Sequence, residues 1–177
     1  MRSEELSLVQ VGLNLDSKLE QLIPAFAKKL PNINSVLLPP LIDVEEAFDS
    51  TRNQYHSTRI IAILESETEL NSSRKVMDVT SLDLYNPGMD GQGFVFEARY
   101  PGRVGVVSTA RLRTTLHDEP GTFEDRVRKE VIHEVGQMKG LKHCPNPLCV
   151  MHRSRSVYDT DTKTDDYCDN CRAELGI

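Results

Sequence analysis

His133-Glu134-Val135-Gly136-Gln137-Met138-Lys139-Gly140-Leu141-Lys142-His143-Cys144 is the stretch on which the reading of this chain turns. Residues four apart on a helix project in nearly the same direction, so His133 and Gln137 share a face, and Glu134 is rotated to reach a group held in front of them. Gly140 permits the left-handed turn that ends such a helix. The returning chain can then bring His143 to the same point from another side, which a straight helix could not do. Two imidazoles, an amide and a carboxylate converging in this way point to a bound metal ion with a general base beside it. Upstream, the helix is expected to begin near Thr122, after Pro120-Gly121, with Thr122 as N-cap and Asp125 adding negative charge, and to run to Lys139. Val127, Val131, Val135 and Met138 make an apolar stripe that packs this helix on a sheet, so its metal face and its core face are different sides.

A second feature begins where the first ends. All four cysteines of the chain fall between Cys144 and Cys171, as the pairs Cys144/Cys149 and Cys168/Cys171. Four thiolates in two short-spaced pairs suit a closed tetrahedral zinc site, whose binding energy would fold a tail with little apolar material of its own. Two disulfides are the alternative. The Cys-x-x-Cys spacing, the cysteine-free remainder and the lack of a cleavable signal pattern favour a structural metal.

Before the motif, the chain alternates strand-like and helix-like segments. Leu6 to Leu15 reads as a strand, Asp16-Ser17 as a helix start leading into Lys18 to Leu30, and Ser35 to Leu38 as a second strand ended by Pro39-Pro40. Ile42 to Gln54 reads as a polar connection or short helix, and Ser57 to Glu67 as a helix despite Ile60, Ile61 and Ile63. Lys75 to Leu84 and Val104 to Ser108 read as strands, with Gly93 to Tyr100 between them as an edge strand. The fold class expected is α/β: a mixed twisted sheet with packed helices, including the long active-site helix, plus a small zinc-stapled C-terminal subdomain. The boundary is expected at 143/144, giving units 1–143 and 144–177.

The residues His133, Glu134, Gly140, His143, Cys144, Cys149, Met151, Cys168 and Cys171 together resemble the composite motif of the archaemetzincins, small metzincin-like metalloproteins. The run Cys144-Pro145-Asn146-Pro147-Leu148-Cys149-Val150-Met151 fits particularly well, and Asp78 to Tyr85 and Arg103 to Leu112 extend the likeness upstream. The resemblance implies two zinc ions per chain. His133 and His143 would ligate a catalytic zinc with Glu134 as base, the cysteine quartet would hold a structural zinc, and Met151 would lie beneath the catalytic metal in the methionine-bearing turn. The chain departs from the family pattern at Gln137, where the second motif histidine belongs. A glutamine offers only its amide oxygen, a weaker donor to zinc than imidazole nitrogen, so metal retention at the helix site is expected to fall first and catalysis with it. The activity implied is a zinc-dependent metallopeptidase, weakened or lost through Gln137. The alternative is a non-catalytic zinc-binding or peptide-binding protein on the same scaffold.

Such enzymes bind an extended peptide along an edge strand, for which Phe94 to Ala98 is the candidate. The other residues with possible chemistry carry less. His152 could replace the missing ligand but is expected to be a loop histidine; His56 and His117 have no spacing signal; Tyr158 and Tyr167 are expected to pack around the cysteine-bound ion. Arg126, Arg128 and Lys129 read as the polar face of the helix, and Asp159 to Asp166 as a solvated loop. At 177 residues the chain suffices for one domain with a small appendage, and its net charge of −6 argues against a nucleic-acid binder. No apolar run is long enough to cross a bilayer. The partners expected are a peptide or protein substrate, with no nucleic acid and no membrane; a cytoplasmic monomer is favoured.

Overall fold

The computed structural model describes residues 4–9, 33–37, 42–67, 74–88, 96–98, 101–113, 119 and 121–177. Its centre is a five-stranded sheet of β1 (Glu4–Val9), β2 (Ile33–Leu37), β5 (Arg74–Thr80), β7 (Phe96–Ala98) and β8 (Val104–Ser108), in the order β2-β1-β5-β8-β7. The first four run parallel; β7 joins the edge antiparallel, Phe96 opposite Val107 and Ala98 opposite Gly105. A parallel sheet must be covered on both faces, which is why β8 reads Val-Gly-Val-Val-Ser with all five residues buried. The period of two along the strands divides them between two cores. Val76, Val104 and Val106 meet Ile60, Ile61 and Leu64 of helix α1 (Ser57–Glu67), while Met77, Val79 and Val107 meet Val127, Val131 and Val135 of α2 (Thr122–Met138). Burying each such side chain is worth about 1.5–3 kcal/mol, enough to hold three isoleucines in α1 against their β propensity.

The expected mixed α/β sheet is present, with local differences. The segment expected as one strand from Lys75 to Leu84 divides: β5 ends at Thr80, and Leu84–Tyr85 is a separate strand, β6, in a three-stranded sheet with β3 (Phe48–Asp49) and β4 (Gln54–His56). A 3-10 turn at Glu45–Ala47 and β3 of that small sheet occupy the stretch Ile42 to Gln54, expected as a polar connection or short helix. The strand expected over Leu6 to Leu15 is seen as Glu4–Val9, and that over Ser35 to Leu38 as Ile33–Leu37; the rest of the first, the Lys18 to Leu30 helix and Pro39-Pro40 lie outside the described residues. Of the Gly93 to Tyr100 edge strand, Phe96–Ala98 is described.

Helix α2 begins one residue earlier than a Thr122 cap requires. Gly121, at φ 92°, is the N-cap, its carbonyl accepting from the Asp125 N–H at 2.9 Å, and no side chain caps the end. At the other end Gly140 adopts φ 98°, its N–H donating to the Gln137 carbonyl at 2.8 Å and that of Leu141 to Gly136 at 3.0 Å. These two bonds are the Schellman pair, closed by a residue that must be left-handed. Beyond it, residues 144–177 carry α3 (Val157–Thr162) and α4 (Asp169–Leu175). Cys149, Val150, Met151 and Tyr167 join the core that α2 makes with the sheet. No described helix is long and apolar enough to cross a membrane.

Candidate metal centres

The Schellman turn returns His143 to the face of α2 that carries His133, with ring centroids 5.3 Å apart. His133 is buried, and its Nδ1–H donates to the Val150 carbonyl at 2.8 Å, which leaves Nε2 as a bare lone pair. Gln137, one turn on, lies between the rings. Its amide nitrogen is 3.2 Å from His133 Nε2 and 3.0 Å from His143 Nε2, so the N–H groups donate to both lone pairs. Burial, then the Lys163 charge, holds His133 well below the ordinary histidine range and therefore neutral; partial desolvation, then Arg153, lowers His143.

Glu134 is also buried, not part of a solvated face. Desolvation and then the neighbouring Glu130 raise its carboxyl well above the usual range, and its Oε2 has no hydrogen-bond partner among the described residues. A buried orphan oxygen costs about 1–3 kcal/mol unless something external satisfies it. The donor set therefore fits a metal ion with its water: two neutral imidazole nitrogens converge beside a carboxylate that lacks a partner. It is one strong donor short, since Gln137 can add only an amide oxygen, and only after its amide turns over.

Met151, fully buried, lies under the last turn of α2, beside Gly136. A Cβ on Gly136 would overlap its sulfur and press on Tyr167. The turn that carries it is tied back by the Cys144 N–H to the Met151 carbonyl at 2.9 Å.

All four cysteines are free, and their Sγ atoms lie within 4.8 Å of one another. Cys144 and Cys168 are 3.7 Å apart, Cys149 and Cys171 3.8 Å. Ligands at about 2.3 Å from a tetrahedral zinc are spaced by about 3.8 Å, whereas a disulfide needs about 2.05 Å. The N–H groups of Met151 and Cys168 both donate to Cys149 Sγ at 3.4 Å. Cys168 is drawn down to about 7, first by the Cys171 N–H, while burial pushes Cys144 and Cys171 up. The quartet fits zinc closely, and an open cleft of about 650 Å³ over Cys144 and Cys168 has His143 in its wall.

The other candidates fall elsewhere. His152 hydrogen-bonds the Cys144 carbonyl at 3.0 Å; His56 packs tilted against Tyr85, ring centroids 5.1 Å apart; His117 is outside the described residues. Tyr158 is exposed, and Tyr167 donates to the Ile132 carbonyl at 2.8 Å as a packing residue. Arg126 and Lys129 are not a solvated face: both are buried, Arg126 paired with Asp161 at 2.7 Å, while Arg128 pairs with Asp165 at 3.0 Å. The first half of the polar run Asp159 to Asp166, expected as a loop, belongs to α3, which is opened by a capping box between Ser156 and Asp159. No local spacing signals the buried pair Glu130–Lys163, whose members lie 33 residues apart.

The family model described as "Peptidase family M54" matches residues 19–176. The archaemetzincin of Pyrococcus horikoshii is 38% identical over 133 residues, covering 73% of this chain and 69% of that protein. Among solved structures, the archaemetzincin of Methanopyrus kandleri is similar with a TM-score of 0.84 at 29% identity, covering 99% of this chain and 94% of its own. That of Archaeoglobus fulgidus, solved with malonate, has a TM-score of 0.79 at 32% identity, covering 96% and 99%.

Proposed function

Because this chain belongs to peptidase family M54, the archaemetzincin family of zinc metallopeptidases, we propose that it hydrolyses peptide bonds at the centre formed by His133, Glu134, Gln137 and His143. The observation that carries this reading is the buried Oε2 of Glu134, without a hydrogen-bond partner among the described residues, beside two neutral imidazoles that converge on one point. Zinc, when bound there, supplies the Lewis acidity that polarises a peptide carbonyl and acidifies the attacking water. Glu134 takes the proton from that water and passes it to the leaving amine. The Val150 carbonyl keeps His133 in the tautomer whose Nε2 is free to ligate. The outer edge of β7, antiparallel to β8 and beside α2, offers main-chain hydrogen bonds to an extended substrate. Cys144, Cys149, Cys168 and Cys171 hold a second, structural zinc.

One observation favours a second reading, a peptide-binding protein without catalysis. The Gln137 amide already satisfies both imidazole lone pairs, and an incoming ion must displace those bonds. The test is cleavage of a mixed peptide library by the zinc-supplemented protein and by Glu134→Gln. Cleavage that falls by about 10²–10⁴-fold in the variant supports the peptidase. Equal cleavage by both removes Glu134 as base, and peptide binding without cleavage by either selects the second reading.

A further inference from the structure

Behind His133 lies a charged cluster that peptide hydrolysis does not use. Lys163 and Glu130 are each 1% exposed, with Nζ 3.1 Å from the carboxylate. Glu130 also accepts from Ser154 Oγ and Thr160 Oγ1, both at 2.8 Å. Lys163 donates on to the His152 carbonyl at 3.3 Å, and Nζ lies 3.5 Å from His133 Nδ1. Glu130 is three residues before His133 and shares its side of α2. One ammonium group thus joins that helix, one turn ahead of the candidate ligand, to the turn that bears Val150, Met151 and His152.

Burial on this scale is a poor source of stability, because removing both charges from water costs about as much as their attraction returns. Its geometry has a clearer use. His133 Nε2 points outward only while Nδ1–H is held by the Val150 carbonyl, and that carbonyl's depth beneath α2 depends on the turn that Lys163 grips two residues later. We propose that Glu130 and Lys163 are positioning residues for the metal centre: the pair pins the Val150–His152 turn to α2 and so aims the imidazole of His133. The proposal rests on the reading of the helix site as a zinc centre. It assigns the pair the part that partners behind a metal-binding histidine play, whose loss typically weakens metal binding about 10–100-fold.

Lys163→Met alone would leave Glu130 charged and unpaired, and is expected to unfold the protein. The test therefore uses Glu130→Gln/Lys163→Met, which replaces both charges by neutral groups of similar volume, an exchange that buried pairs tolerate. Zinc affinity at each site is read by chelator competition, and the His133 ring N–H by proton–nitrogen NMR. The expected result is helix-site affinity about 10–100-fold weaker, cysteine-site affinity unchanged, and a shifted, faster-exchanging Nδ1–H. Wild-type affinity at the helix site together with an unmoved ring proton would overturn the proposal and leave the pair a structural bond. If the wild-type protein holds no zinc at the helix site, the peptidase reading fails separately, and the ring proton alone decides for or against positioning.

Discussion

On the proposed reading Gln137 sets the strength of the helix site, because its amide would give zinc a weaker donor than imidazole and gives the two histidines a competing hydrogen-bond partner. Gln137→His removes both handicaps, and we expect at least about tenfold tighter zinc binding at that site, since even partners behind a ligand are worth about 10–100-fold. Competition with a graded chelator measures it; unchanged affinity would mean that the glutamine is not what limits the site. Its neighbour Gly136 has a different constraint. The Met151 sulfur and Tyr167 fill the space that any Cβ there would need, in a core where Met151 is fully buried. Gly136→Ala should cost about 1–3 kcal/mol, the usual penalty of overpacking. At roughly 2–4 °C per kcal/mol for a chain of this size, the melting temperature should drop by several degrees, and an unchanged melt would show that Met151 can move aside. Residues of this kind were only partly legible. His133, Glu134, Gln137 and His143 are tied together by helical spacing and one glycine, so their convergence could be derived. The overlap at Gly136 and the Glu130–Lys163 pair depend on contacts between segments far apart in sequence, where no spacing rule applies.

Elements followed the same division between local and distant causes. Helix α2 could be read because an apolar stripe, a histidine face and a terminal glycine agree on one helix; its true N-cap could not, since Gly121 caps by backbone conformation and leaves no side-chain signature. The break between β5 and β6 has a tertiary cause: Ser108 Oγ donates to the Leu82 carbonyl at 2.6 Å and the Tyr55 N–H to that of Asp83 at 2.9 Å, which draws the chain out of one sheet into another. In α3 the helical signal lies in the cap, not in apolar periodicity, so a polar run concealed it. Asp159 accepts there from the N–H groups of Arg155 at 2.9 Å and Ser156 at 3.0 Å, and from Ser156 Oγ. The Arg155 N–H first, then the Ser156 hydroxyl and N–H, hold its carboxyl below the usual range. A carboxylate depressed by folding adds stability that is complete above its unfolded value, about 3.9, and is lost as the pH falls through the lower folded value. Asp159→Ala should therefore lower stability by about 1 kcal/mol near neutral pH. It should also flatten the acid side of the melting-temperature profile below about pH 4. Parallel profiles for the two proteins would show that the cap contributes nothing to acid sensitivity.

Across the whole molecule the two candidate centres are one mechanical unit, because the last donor of the helix site, His143, is followed directly by the first thiolate, Cys144. The four cysteines also bracket the segment that supplies Val150 beneath His133, Met151 beneath Gly136, and Lys163 beside Glu130. Zinc at a four-thiolate site contributes about 10–16 kcal/mol in small domains, comparable to the entire stability of a typical protein at about 5–15 kcal/mol. Loss of the two proposed ions should then have unequal effects, in a fixed order. A weak chelator should empty the helix site first and leave the melting temperature nearly unchanged, since His133 and His143 can fall back on the Gln137 amide. A strong chelator, or Cys171→Ser, should empty the quartet and lower the melting temperature by tens of degrees. It should expose the faces of Val150, Met151 and Tyr167 that now lie in the shared core, and abolish zinc binding at the helix site as well. Elemental analysis and thermal melts along one chelator titration follow both events. If the helix site keeps its zinc after the quartet is stripped, the two centres are independent, and the segment after His143 is an appendage instead of the floor of the site.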